Sequence, residues 1–283
     1  MKQIVIVVLL TIAMVGCGEQ NEKKHEESQA KGPELLYELE HALTEAIIQD
    51  AFSPPVASRV YAYCNIAAQT VVAQYSEAAT GYTARLNGFS TVPEFDTEDT
   101  DMDRVLILVF CQVAKELVYR DHILDSASVH LLNEMEDLPE KTIKNSAALA
   151  NAISGHILDR AAKDQYKETR DMPRYTPLKN DDSWEPTPPG YTDALEPHWD
   201  KILPFTLDSA GQFFIPFRFE YSTDSVSEFY KVIAKEVYDS VNAVNDEYIM
   251  IAKFWDCNPF LTKQKGHLMY HVRQLTPGGH WIG

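Results

Sequence analysis

Val105-Leu-Ile-Leu-Val-Phe-Cys-Gln-Val113 carries one polar residue in nine and lies within Met102 to Ile123, a run without proline or glycine. A segment that is apolar on every side predicts a helix enclosed by other helices. The stretch before it, Glu94 to Asp103, holds six acidic residues. It lacks the glycine and glutamate positions of a calcium loop. Its acids read as a solvated lead-in that favours the positive end of the next helix.

Working outward, Pro33 to Phe52 has Leu35, Leu36, Leu39, Leu43, Ala46, Ile47 and Ala51 at helix spacing. Ser53-Pro54-Pro55 stops it. A second helix is predicted from Val56 to Ala79, with Gly81 as its C-cap. Leu86 to Pro93 reads as a loop. Downstream, helices are predicted over Ser126 to Glu136, Glu140 to Lys163, Ser225 to Val244 and Asp246 to Cys257, with a last short one over Thr262 to Arg273. No sustained strand alternation occurs. The fold class expected is all-α, a bundle of roughly six to eight helices, in one helical domain over residues 33–283.

One long Pro/Trp-rich loop interrupts this pattern between Gln165 and Pro216. Ser183 to Phe214 alone holds Pro186, Pro188, Pro189, Pro197 and Pro204 with Trp184 and Trp199. Proline fixes φ and removes a donor, so this is neither a long helix nor a central strand. Its aromatic content argues for order, with Trp184, Tyr191 and Trp199 as buried anchors.

The amino terminus gives an address. Lys2 precedes an apolar run of 12 residues, Ile4 to Val15, too short to span a bilayer and typical of a signal peptide. It ends in Met14-Val15-Gly16-Cys17, similar to a bacterial lipobox. Residues 1–17 are thus expected to be a lipoprotein signal peptide with Cys17 as the lipidation site, and 18–32 a flexible tether. The expected partner is the membrane through that anchor. The expected place is the bacterial cell envelope, with Gly18 favouring the outer membrane. The net charge of −17 argues against nucleic acid.

Three further cysteines, Cys64, Cys111 and Cys257, form no CxxC pair. The first two lie in apolar helical patterns and read as buried free thiols. His267 and His271 have the spacing of two ligands on one helix face, but the glutamate of HExxH and a third ligand are missing. No metal ligand is assigned. Asp256 closes a predicted helix where an acid opposes the dipole, so it needs a specific partner or lines a pocket.

Several segments together resemble the bacterial lipoprotein branch of the superfamily that joins vanadium-dependent haloperoxidases and type 2 phosphatidic acid phosphatases. They are Phe52-Ser-Pro-Pro-Val-Ala-Ser-Arg-Val-Tyr-Ala-Tyr63, Trp184-Glu-Pro-Thr-Pro-Pro-Gly-Tyr191, Glu196-Pro-His-Trp199, Ile251-Ala-Lys-Phe-Trp-Asp-Cys-Asn-Pro259 and Pro277-Gly-Gly-His-Trp281. The resemblance implies an all-α fold and a site for vanadate or phosphate built from K-x6-R-P, P-S-G-H and S-R-x5-H-x3-D. Lys and Arg donors would surround the oxyanion. One histidine would bind vanadium or attack phosphorus, and another would move protons.

Those motifs are absent. None of the nine arginines precedes a proline or has a histidine six positions on. Ser58-Arg59 begins one motif, but Asn65 stands where histidine is needed. Ser154-Gly155-His156 imitates another without its proline, inside a predicted helix. No catalytic residue and no cofactor of its own is assigned to the chain, vanadate or phosphate belonging to the family. The resemblance gives Trp184, Trp255, Asp256 and His280 as candidate pocket wall. Three readings follow: a truncated haloperoxidase-like lipoprotein inactive alone, one half of an enzyme completed by a separate catalytic half, and a ligand- or partner-binding envelope lipoprotein. A shortened bundle is expected to expose apolar surface.

Overall fold

The computed structural model describes residues 32–76, 81–89, 95–188, 191, 193–255, 260–265 and 268–273. Cys17, and with it the signal-peptide and tether expectation, lies outside them. Eight α-helices occur among the described residues: α1 Gly32–Asp50, α2 Pro54–Tyr75, α3 Met102–Leu117, α4 Asp121–Asn133, α5 Glu140–Ala161, α6 Tyr166–Asp171, α7 Lys235–Asn242 and α8 Asp246–Trp255. The all-α expectation holds. One antiparallel hairpin, β1 Phe260–Lys265 with β2 Leu268–Arg273, accompanies the helices.

The central helix is where its composition places it. α3 packs against α1, α2, α4 and α5, and its Val105, Ile107, Val109, Phe110 and Val113 are fully buried. Its one polar residue in the apolar run, Gln112, is satisfied by α5. It accepts from Ser154 Oγ at 2.7 Å and donates to Asn151 Oδ1 at 2.9 Å. Asp101 caps the helix, its carboxylate accepting from the Arg104 N–H at 2.8 Å. Around it, α1 buries Leu39, Leu43 and Ile47 completely, each contributing about 1.5–3 kcal/mol relative to exposure. α2 begins with Pro54 and Pro55, which suit a first turn where the missing N–H has no intrahelical partner. Cys64 and Cys111 are buried free thiols, as expected. Burial pushes both up, Cys111 to about 12, so both stay protonated.

Five places differ from the sequence reading. The helix predicted over Met102 to Ile123 breaks after Leu117, because the carboxylate of Asp50 at the end of α1 accepts the N–H groups of Tyr119 and Arg120 and pairs with the Arg120 guanidinium. α4 therefore starts at Asp121 rather than Ser126. α2 stops at Tyr75, so Gly81, though left-handed at φ 78°, does not cap it. Ser225 to Val244 is no single α-helix: a π-helical segment, Phe229–Ala234, precedes α7. Thr262 to Arg273 is hairpin rather than helix, with Lys265 paired to Leu268 across a two-residue spacing. His271 pairs with Thr262 on that hairpin, so the expected helical face for two histidines does not form.

Burial ends early along the chain. From Arg170 to Ala252 no described residue is buried. The loop after α5 lies on the bundle, while residues 208–252 present themselves to solvent.

Candidate functional site

The densest polar cluster sits where α2 and α5 meet the long loop. Arg59 of α2 donates Nε to Asp164 Oδ2 at 2.7 Å and Nη2 to the Ala161 carbonyl at 3.1 Å. Tyr63, one turn on, donates its hydroxyl to the same Asp164 oxygen at 2.8 Å. Asp164 Oδ1 accepts from the Tyr166 N–H at 2.9 Å. Arg160 Nη1 donates to the Tyr63 hydroxyl oxygen. Asp164 and Arg160 are almost wholly buried. Burial first, then the Asp164 carboxylate, raises the Tyr63 hydroxyl, which keeps it a donor.

This cluster carries two guanidinium charges against one carboxylate. The excess is balanced by carbonyls and rings. Arg160 Nε donates to Asn87 O at 3.1 Å, and its Nη2 to Leu203 O at 2.9 Å and Pro204 O at 3.2 Å. Its Cζ lies 4.1 Å from the Phe205 ring centroid, and that of Arg59 lies 4.3 Å from the Tyr166 ring. The loop is also tied by Leu203 N–H to Asp164 O at 2.9 Å and Asn87 N–H to Phe205 O at 2.7 Å. Gly88 makes the approach possible. A Cβ there would stand 2.7 Å from Leu203 Cδ2, and its φ of 79° suits glycine. Farther out, Arg170 pairs with Glu196, which also accepts from Ser53 Oγ at 3.3 Å.

The motif-like residues of the sequence are not brought together. Ser154 is spent on Gln112 and on the Ala150 carbonyl at 2.8 Å. His156 points its ring at Phe89, 5.6 Å between centroids, and its buried Nε2 has no hydrogen-bond partner. Burial lowers its basicity, partly opposed by Asp159. Asn65 donates to Glu40 Oε1 at 2.6 Å, linking α1 to α2. Trp184 is half exposed and pairs with Tyr175, whose hydroxyl donates to the Trp184 carbonyl at 3.1 Å. Tyr191 is exposed, and Trp199 lies part-buried edge-on to Tyr166. Of the three expected anchors, then, only Trp199 holds the loop down. Trp255 ends α8; its side chain, Asp256 and His280 lie outside the described residues.

No protein-family profile matches the chain. No curated protein matches it either. Among solved structures, a bacterial vanadium-dependent iodoperoxidase is 36% identical, with a TM-score of 0.74, over 88% of this chain and 59% of that one. The chain is a relative of the vanadium haloperoxidases.

It spans 59% of the length of that iodoperoxidase. The two arginines of this cluster are committed to the protein's own oxygens and rings. Every nitrogen of the Arg160 guanidinium donates to a protein oxygen. Arg59 is engaged by Asp164, Ala161 and the Tyr166 ring. No group of three or more His, Cys, Asp or Glu side chains able to hold a metal ion occurs among the described residues. The cluster is a fastening for the loop on this haloperoxidase-like bundle. Sequence reading passed over it, although Arg160 and Asp164 stand one helical turn apart and Ser58-Arg59 had already been singled out for a different reason.

Proposed function

We propose that the chain is the N-terminal helical part of a vanadium haloperoxidase-like protein, exported and lipid-anchored at Cys17, and without halide oxidation of its own. The observation that carries this reading is the commitment of Arg59 and Arg160 to the loop and to Asp164. A vanadate needs guanidinium or ammonium donors that are open to it, and the best-placed arginines here already have partners. The bundle supplies shape, and the loop after α5 supplies one wall. Trp184 is proposed for that wall, and Trp255, Asp256 and His280 for the rest of the pocket.

The address rests on the sequence before residue 32. No helix among the described residues is long and apolar enough to cross a membrane. Attachment is proposed through acyl chains on Cys17, in the bacterial envelope and at the outer membrane.

The test of activity uses purified chain with vanadate, hydrogen peroxide and iodide or bromide. No halogenation above background is expected. A rate that rises with vanadate and saturates would overturn the reading. The test of address is Cys17→Ser: acyl labelling and recovery in the membrane fraction are both expected to vanish, and retention of both overturns the anchor.

A further inference from the structure

We propose that Asn87-Gly88 is a modification site: a latent deamidation site that the seated loop keeps silent and that, once converted, prevents the loop from refastening. It is the one Asn-Gly pair in the sequence. The fold demands each half of it. Leu86 to Phe89 form a turn closed by the Phe89 N–H on the Leu86 carbonyl at 3.4 Å. Gly88 takes the third position of that turn at φ 79°, where a Cβ would stand 2.7 Å from Leu203 Cδ2. Asn87 makes three ties. Its N–H donates to Phe205 O at 2.7 Å, its side-chain Nδ2 donates to Leu207 O at 2.6 Å, and its carbonyl accepts from Arg160 Nε at 3.1 Å.

The chemistry of such a pair is general. The amide nitrogen that follows an asparagine attacks its Cγ, and glycine has no side chain to screen that nitrogen. A bond forms between Gly88 N and Asn87 Cγ, the Cγ–Nδ2 bond breaks, and ammonia leaves with the proton from the Gly88 N–H. Water then opens the succinimide ring at either carbonyl, giving aspartate or isoaspartate. No other reactant is needed.

The nucleophile is available in the folded chain. Gly88 is exposed, and its N–H has no acceptor among the described residues. What the fold withholds is the electrophile. Cγ reaches Gly88 N only when the side chain rotates and the turn adjusts, and the three ties fix both. Lifting residues 203–207, a local opening, removes two of them at once and leaves only the bond from Arg160. Conversion then works against reseating. An aspartate has no donor for Leu207 O and sets a carboxylate against that carbonyl, at the cost of an unmet acceptor. Isoaspartate adds a methylene to the main chain between the N–H that serves Phe205 and the carbonyl that serves Arg160, so those two ties lose their register.

The experiment incubates the full chain beside a synthetic peptide of residues 83–92 in mildly alkaline buffer. Peptide mapping by mass spectrometry reads conversion at residue 87. The chain is expected to convert at least tenfold more slowly than the peptide. Arg160→Lys weakens the fastening from the bundle side, and Phe205→Ala removes the loop ring packed on Arg160 and Tyr63. Each, with helix content verified by circular dichroism, is expected to raise the rate at least threefold. Val129→Ala, on exposed α4, leaves it unchanged. Asn87→Asp, which makes one product directly, is expected to raise amide exchange at Leu203 at least tenfold. Equal rates in chain and peptide, equal rates in the parent and the folded loop variants, or unchanged exchange at Leu203 in Asn87→Asp overturns the proposal.

Discussion

Residues 32–169 and residues 170–252 use the same helical vocabulary and reach opposite ends. In the first region, apolar positions spaced for one helix face meet another helix: Leu39 and Leu43 of α1, Val60 of α2, Phe110 of α3 and Ile153 of α5 are all sealed from water. In the second, Val237 and Val241 of α7 repeat that spacing and are exposed. An amphipathic pattern announces that a face will be covered. It does not say which polypeptide covers it. The bundle is held by its own residues, and the arm, residues 208–252, is held only by local hydrogen bonds. The fastening at Arg160 and Asp164 marks the border between the two.

The contrast breaks most sharply at that border. Asp164→Asn is expected to destabilise the chain by about 3–5 kcal/mol, the usual cost of removing one partner from a buried ion pair. The change is nearly isosteric. It strands the buried charges of Arg59 and Arg160 and turns an amide toward donors. Urea unfolding measures it. A loss near zero would mean that the carbonyls of Ala161, Leu203 and Pro204 alone balance both guanidinium groups.

Next comes the core itself. Leu39→Ala, at a fully buried site, is expected to cost about 2–5 kcal/mol. Phe217→Ala, which removes a larger side chain from the arm, is expected to stay within about 0.5 kcal/mol in the isolated chain. Comparable losses at the two positions would show that the arm folds onto the bundle in solution.

Arg160→Lys sharpens the comparison at lower energy. One ammonium cannot hold the carbonyls of Asn87, Leu203 and Pro204 and the Tyr63 hydroxyl at once. A loss of about 2 kcal/mol is expected, as three ammonium protons leave one of the four charge-assisted bonds unmade. The selective readout is amide exchange at Asn87 and Leu203, whose N–H groups bond Phe205 and Asp164. Exchange there should rise at least tenfold while amides within α3 keep their protection. Uniform change across both would place the loop inside the cooperative bundle.

Much of the fold was legible because helix spacing is local. α1 and α5 lie within a few residues of their predicted spans, and the enclosed position of α3 followed from composition alone. What escaped was set by partners distant in sequence. The break after Leu117 needs Asp50, which takes two N–H groups 69 and 70 residues away. The fastening joins Arg59 to Asp164 across 105 residues. The hairpin did carry a local signal, Gly266-His267 between short runs holding Phe260, Thr262, Tyr270 and Val272, that the helical reading passed over. The candidate wall was less legible. Trp184 was expected inside and stands half exposed beside Tyr175, because proline-rich chain can hold an aromatic pair at the surface without a core beneath it.

The smallest effect concerns Glu40, and its sign separates burial from hydrogen bonding inside the bundle. Glu40 lies on α1 and accepts from Asn65 Nδ2 of α2 at 2.6 Å. Burial raises its carboxyl above the ordinary 4.5, and the Asn65 bond opposes that shift less strongly. The folded state thus holds this proton more tightly than the unfolded state. The stability it contributes is complete below pH 4.5 and is lost as pH rises through the higher folded value. Glu40→Gln keeps an acceptor for Asn65 and removes the titration. The variant is expected to be more stable than the parent at pH 7, by less than about 1 kcal/mol, with the difference fading toward zero below pH 4.5. Melting temperatures of the two proteins across pH 3.5 to 7.5, about one unit apart, trace it. A variant less stable at pH 7 would show that the charge-assisted bond to Asn65 outweighs desolvation. The α1–α2 contact would then be held by charge as well as packing, and the bundle would share with the Arg160 border a dependence on ionised groups that the arm, with exposed pairs such as Lys235 and Asp239, does not have.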